Sequence, residues 1–289
     1  MIKDRSFIHL NLSLIFISTS GVLGRYITLD STLTTWWRCA IAGVVVFFFC
    51  KFKKISFSFS NKENRNLTLF AGVLMAIHWV AYFYSLDYSN VAIGVLVLYT
   101  FPAFTAIIEP LITEEKYEFS NILLAIISLI GVAIINPDYN FKSDYTLAII
   151  LGLVSALAYA LRNILMRKPA KAHHGSMLMF YQIIIVGILI SPSWFVVDTA
   201  GWPEQWIGLA VLALVTTALG HSLFVMSLKS LSATSVSLLS CVIPVYALLW
   251  AYLFLGEIPS LRTIIGGVII LSTVTIKTIF DGKKKMKKA

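Results

Sequence analysis

Residues 85–102, SLDYSNVAIGVLVLYTFP, and residues 227–244, SLKSLSATSVSLLSCVIP, are two versions of one stretch. A shift of 142 positions, without a gap, puts Ser85-Leu86 on Ser227-Leu228 and Pro102 on Pro244. The match extends outward in both directions. Leu67, Ala71 and Val73 fall on Leu209, Ala213 and Val215; Glu115 falls on Glu257 and Ile122 on Ile264. The second half of the chain echoes the first. In a multi-span membrane protein a weak internal repeat points to a transporter whose site lies where the halves meet.

Composition supports the membrane reading. Mean hydropathy is +0.84, 58% of residues are hydrophobic and 13% are charged. A hydrocarbon core needs about 20 apolar residues per helix. Ten stretches qualify, over residues 8–28, 32–52, 67–86, 90–111, 119–136, 145–166, 176–197, 206–228, 232–255 and 261–280. None shows the alternation of a barrel strand, and backbone groups in lipid must bond internally, so all ten are expected to be helices. The expected fold is an all-α integral membrane protein of ten transmembrane helices around a central cavity. Residues 1–142 form the first five-helix repeat and 143–289 the second, in one membrane domain. Ser18-Thr19-Ser20-Gly21 after Lys3 and Arg5 has the look of a signal-peptide cleavage region. That reading is rejected, because the apolar run continues to Ile27 and its removal would delete one unit of the repeat.

Lys and Arg over short loops set the orientation. With a cytoplasmic N-terminus, 19 of the 23 fall inside, including the Lys51–Arg65 cluster, Arg162, Arg167 and the lysine tail. Arg25, Arg38, Lys142 and Arg262 remain outside. Both termini are expected in the cytoplasm, and the location is expected to be a bacterial cytoplasmic (inner) membrane. An odd number of helices per half then turns the second repeat upside down relative to the first. The net charge of +9 fits a basic skirt on anionic headgroups, with no nucleic-acid partner. Cys39, Cys50 and Cys241 lie in apolar stretches at spacings that suit neither a metal site nor disulfides.

Polar residues deep in a span are functional candidates because they are costly there. The third span has His78 near its middle, followed by Trp79, Tyr82 and Tyr84. The fourth has Tyr99 near mid-depth. The sixth has Tyr159 and Asn163 on one face. The eighth has His221, which the 142 shift places opposite Trp79. His78 reads either as a cavity-lining hydrogen-bonding group or as a tie between two helices. Pro102 and Pro244 free the carbonyls of Leu98 and Ser240, which then either face a cavity or are re-satisfied around a kink. Gly152, Ala156 and Ala160 read as a packing stripe. Arg38 either snorkels to the outer interface or steers a carboxylate there. Trp194, Trp202 and Trp206 read as interfacial anchors. Glu115 and Glu257 precede the last helix of each half, with Ser120 and Ser260 as candidate N-caps. No span carries an acid at its centre; Glu109, at the inner end of the fourth, comes nearest. No nucleophile elbow, zinc-protease or P-loop motif is present, which argues against an enzyme. No metal or other cofactor is expected.

The block Tyr88-Ser89-Asn90-Val91-Ala92 leading to Tyr99-Thr100-Phe101-Pro102, then Glu115 and Gly131, with Ser232-Ala233-Thr234-Ser235, Pro244, Leu255-Gly256-Glu257 and Gly266-Gly267 in the second copy, resembles the EamA-type drug/metabolite transporter superfamily. Arg38 matches the family's arginine early in the second helix. The resemblance covers nearly the whole chain. It implies a monomer with a central cavity between helices 1, 3, 4, 6, 8 and 9, and export or exchange of amino acids and related metabolites. His78, Trp79, Tyr82 and Tyr99 look like the cavity aromatics of the amino-acid exporter branch. Arg162-Asn163 departs from it, where an aromatic residue is expected. The expectation is therefore a transporter of small solutes, amino acids first. Drugs, nucleotide-type metabolites or lipid precursors are the alternative cargo, and an integral-membrane enzyme on lipid-linked substrates is the alternative class.

Overall fold

The computed structural model describes the backbone of residues 2–114, 119–135 and 143–286, and side chains over most of that range. Glu115, Lys116, Glu118, Lys142 and the side chains of Ser120, Ile122, Lys277 and the lysine tail lie outside the described residues. The described elements are helices: α1 (Arg5–Tyr26), α2 (Ser31–Phe52), α3 (Lys62–Asp87), α4 (Val91–Ile112), α5 (Phe119–Ile135), α6 (Asp144–Ala172), α7 (Gly175–Phe195), α8 (Pro203–Ser227), α9 (Ala233–Leu255) and α10 (Leu261–Met286). Eight of them, all but α5 and α10, are long and apolar enough to cross a membrane. The described apolar parts of α5 and α10, Ile126–Ile135 and Leu261–Thr273, are shorter. The protein is thus an all-helical membrane protein with eight candidate spans among the described residues. On α9, Val245, Leu249 and Leu253 are exposed at four-residue spacing, a surface that suits lipid rather than water.

Helix starts follow local chemistry. Asp30, Asn61, Asn90, Ser143 and Ser232 each accept a hydrogen bond from a backbone N–H in the first turn of α2, α3, α4, α6 and α9. These side chains satisfy donors that a helix start leaves free. Ser260 caps α10 in the same way, accepting from the Thr263 N–H at 3.2 Å. Asn90 and Ser232 are themselves 142 apart.

Both α4 and α9 are broken at equivalent places. In α4 the first segment ends at Leu98, a tight turn covers Tyr99-Thr100, and a second segment starts at Phe101 with Pro102 in its first turn. In α9 a 3₁₀ turn over Ser240–Val242 precedes a segment with Pro244 in its first turn. Proline has no N–H to lose in a first turn and its φ suits the start of a helix. The expected bends are therefore restarts of the helix. The Ser240 carbonyl accepts from the Ile243 N–H, the locally re-satisfied alternative of the two open for that group.

Between the two halves the main packing pairs are α3 on α6 and α7, α1 on α8 and α9, α2 on α7 and α8, α4 on α6 and α9, and α5 on α10. Exchanging helices 1–5 for 6–10 maps each of these pairs onto one of the same set, α2–α7, α4–α9 and α5–α10 onto themselves. Small residues allow the close approaches. A Cβ at Gly152 would stand 2.7 Å from Val97 and 3.2 Å from Ser85, and Ala156 and Ala160 are fully buried beside it, as the stripe reading expects. Gly131 and Gly266 let α5 and α10 meet almost backbone to backbone. The cysteines are free thiols. Of the three tryptophans read as anchors, Trp202 and Trp206 are exposed, Trp202 also stacking on Trp37, whereas Trp194 packs against Trp36 and Trp37.

Candidate substrate cavity

A narrow cavity of about 30 Å³ lies inside the bundle. Ile17, Ser18 and Ser20 come to it from α1, and His78, Trp79 and Tyr82 from α3. Val95, Leu98 and Tyr99 come from α4, Tyr159 from α6, His221 from α8, and Ile243 with Ala247 from α9. Six helices, three from each half, thus contribute. The break in α4 is what brings Tyr99, the residue at the turn, to the lining.

His78 does both things open to it. Its ring stacks on Tyr159 at 4.3 Å, and its Nδ1 stands 2.8 Å from Ser155 Oγ on α6. Ser155 Oγ also donates to the His78 carbonyl at 3.0 Å. A hydroxyl has one proton to give, so the ring must donate through Nδ1–H, which leaves Nε2 as an acceptor. His78 therefore ties α3 to α6 and lines the cavity as well. Opposite it, Trp79 and His221 meet edge to face at 5.3 Å. These two residues are equivalent under the 142 shift. The buried Trp79 Nε1 and His221 Nδ1 have no hydrogen-bond partner.

Four candidates stand elsewhere. Asn163 is fully buried but off the lining; its Oδ1 accepts from Arg162 Nη1 at 2.9 Å. Pro102 and Pro244 shape the broken helices without lining the cavity. Arg38 neither snorkels nor reaches an outer surface. It is 0% exposed, donates from Nη2 to Thr216 Oγ1 at 3.0 Å and from Nε to Thr217 Oγ1, and lies 4.1 Å over the Trp79 ring. The reason lies in α8, which is a π-helix over Leu212–His221. A π-helix widens the turn, and here adjacent threonines both meet one guanidinium.

Two features escaped sequence reasoning. Arg162, counted above as an inner-side charge, is also fully buried, held by Gln182 Oε1 at 2.7 Å and by Asn163. Its signal was its position, about three turns before the end of a helix that runs on to Ala172. The second feature is a pair of carboxylate caps. Glu109, 1% exposed near the end of α4, accepts from the N–H groups of Ala233 and Thr234, the first residues of α9, at 3.0 and 2.9 Å. Arg167 donates to it at 3.3 Å. Glu257, just beyond α9, accepts from the Val91 N–H, the first of α4, at 2.9 Å, with Arg25 at 3.9 Å. Glu257 thus caps α4 rather than meeting the start of α10. Because each helix start meets the other helix's end, α4 and α9 run antiparallel. The αL residue Gly256, at φ 66°, turns the chain so that the carboxylate lands there.

Relatives of known type agree with this architecture. The model of the EamA-like transporter family matches residues 7–136 and 146–278. The pseudopaline exporter CntI of Pseudomonas aeruginosa is 25% identical over 247 residues, 84% of each chain. An uncharacterized transporter of Archaeoglobus fulgidus is 26% identical over 92% of this chain and 93% of its own. The S-adenosylmethionine uptake transporter of Rickettsia conorii is 22% identical over 95% and 92%. A solved crystal structure superposes with a TM-score of 0.73, covering 96% of this chain and 97% of that one at 15% identity, a likeness of fold. With both halves matched, this membrane protein belongs to the EamA-like transporter family and is a transporter rather than an enzyme.

Proposed function

We propose that the protein moves small amphipathic metabolites, amino acids first, across a bacterial cytoplasmic membrane by alternating access, in the export or exchange direction. Ten spans in two inverted five-helix repeats rock about the central cavity, and both termini are cytoplasmic. A monomer suffices, since the cavity draws on both halves of one chain. The observation that carries this reading is the meeting of Trp79 and His221, repeat equivalents 5.3 Å apart in one cavity wall. The antiparallel course of α4 and α9 supports the inversion.

In this reading Tyr82, Tyr99 and Tyr159 stack on the apolar part of the solute, and His78 Nε2 accepts a hydrogen bond from its polar part. The breaks at Pro102 and Pro244 let the halves of α4 and α9 tilt separately. The chain is similar both to a relative named for export and to one named for uptake, as a two-sided machine allows. The test is counterflow in proteoliposomes with a panel of labelled amino acids. Wild type accumulates label against an internal pool, and His78→Ala and Tyr99→Ala lose most of the rate. Full rates for every solute in both variants overturn the site.

A further inference from the structure

The interior of this bundle holds positive charge that its own carboxylates do not meet. Arg38 and Arg162 are both fully buried, and among the described residues neither forms an ion pair. Every Asp and Glu whose side chain is described lies in the first or last turn of a helix or in a connection. Glu109 and Glu257 are taken up by helix starts. A cation held at membrane depth without a counter-charge is costly and marks a site that another charge visits.

The geometry says where. Two of the Arg38 nitrogens are bound to Thr216 and Thr217, but Nη1 is buried without a partner. The guanidinium lies 4.1 Å over the Trp79 ring. That contact draws π-density toward the cation and makes the indole N–H a better donor. Trp79 Nε1 is itself unpartnered, as is Nδ1 of the neighbouring His221. One side of the cavity is therefore lined by an indole and an imidazole, each with an unpartnered nitrogen, and a guanidinium lies against the indole ring. The other walls carry Ser18, Ser20 and His78 among aromatic and aliphatic side chains, and no charged group.

We propose that the solute enters this wall through a carboxylate, one oxygen accepting from Trp79 Nε1 and the group as a whole neutralising the field of Arg38. This rests on the transport reading above and deepens it by naming the solute's charge. A monoanion with an organic body fits; a phosphate dianion would lack the several charged donors it needs. Arg38 acts here as a positioning residue, through Trp79.

The experiment uses the full chain in lipid nanodiscs and three pairs of probes of increasing size: acetate with acetamide, butyrate with butyramide, and 3-phenylpropionate with 3-phenylpropionamide. Thermal shift and calorimetric titration read binding. The expected result is binding of at least one carboxylate more than tenfold tighter than its amide. Arg38→Gln and Trp79→Phe should each bring that ratio close to one, and Arg38→Lys should restore part of it. Equal binding within every pair, no binding in any pair, or a ratio unchanged in Trp79→Phe overturns the proposal; Trp79→Phe keeps the ring, so it serves if Arg38→Gln fails to fold. Counterflow that persists while carboxylates and amides compete equally sinks this inference alone. Carboxylate preference without counterflow of any solute sinks the transport reading instead.

Discussion

Arg25 and Arg167, 142 positions apart, each face a carboxylate that caps the start of a broken helix: Glu257 at 3.9 Å and Glu109 at 3.3 Å. The two assemblies sit at opposite ends of α4, one at Val91 and the other at Glu109. They differ in burial. Glu109 is 2% exposed in its side chain and accepts from two backbone N–H groups and the Thr234 hydroxyl as well as Arg167. Glu257 is 21% exposed and Arg25 38%.

That difference predicts unequal variants. Glu109→Gln keeps the shape but removes the charge and leaves one oxygen to accept two of the four bonds, and bonds to charged groups contribute roughly 1.5–3 kcal/mol each. Glu257→Gln touches a part-exposed pair worth about 1 kcal/mol or less. Melting in detergent should therefore fall several degrees more for Glu109→Gln. Equal melting points would show that burial does not distinguish the two caps.

Helix contacts made through glycine should tolerate no side chain. A Cβ at Gly266 would lie 2.5 Å from the Gly131 carbonyl oxygen, and backbone cannot step aside as a flexible side chain can. Gly266→Val and Gly152→Val should each lose about 1–3 kcal/mol through overpacking. Gly201→Ala meets no atom within 4 Å, and only its positive φ resists the change. A melt of Gly266→Val unchanged from wild type would place α5 and α10 farther apart than described here.

One pH dependence follows from the loop between α6 and α7. His174 caps α7, its Nδ1 accepting from the Ser176 N–H at 3.2 Å, which requires the ring to be neutral. Burial first, then the nearby His9 and Lys229, hold its pKa below the ordinary 6.5. The folded state thus binds the proton less readily than the unfolded chain. Its contribution is complete above about pH 6.5 and is lost as the pH falls below that value. Melting points measured from pH 7.5 to 5 should fall, and His174→Asn, which keeps a capping oxygen, should flatten the fall. An identical profile in the variant removes His174 from the account.

Much of the cavity was legible in the sequence. His78, Trp79, Tyr82, Tyr99, Tyr159 and His221 announce themselves as polar-edged rings deep in apolar spans, where such groups are costly. Pro102 and Pro244 announced the broken helices. Other features were not legible because their partners are remote. Arg38 meets Thr217 across 179 positions and Glu109 meets Ala233 across 124. A cation two turns into a span looks the same in sequence whether it snorkels outward or turns in. The π-helix of α8 was equally hidden, since hydropathy carries no record of which carbonyl an N–H will choose. Asn163 shares a face with Tyr159, yet Arg162 takes its oxygen.

Two-sided access to one cavity is the central claim, and site-directed thiol labelling tests it most directly. Tyr99→Cys, in a chain whose own three cysteines are replaced by alanine, puts one thiol at the turn of α4 on the cavity wall. An impermeant maleimide should modify it in both right-side-out and inside-out vesicles, with solute slowing both reactions. Modification from one face only, whatever solute is present, would contradict alternating access.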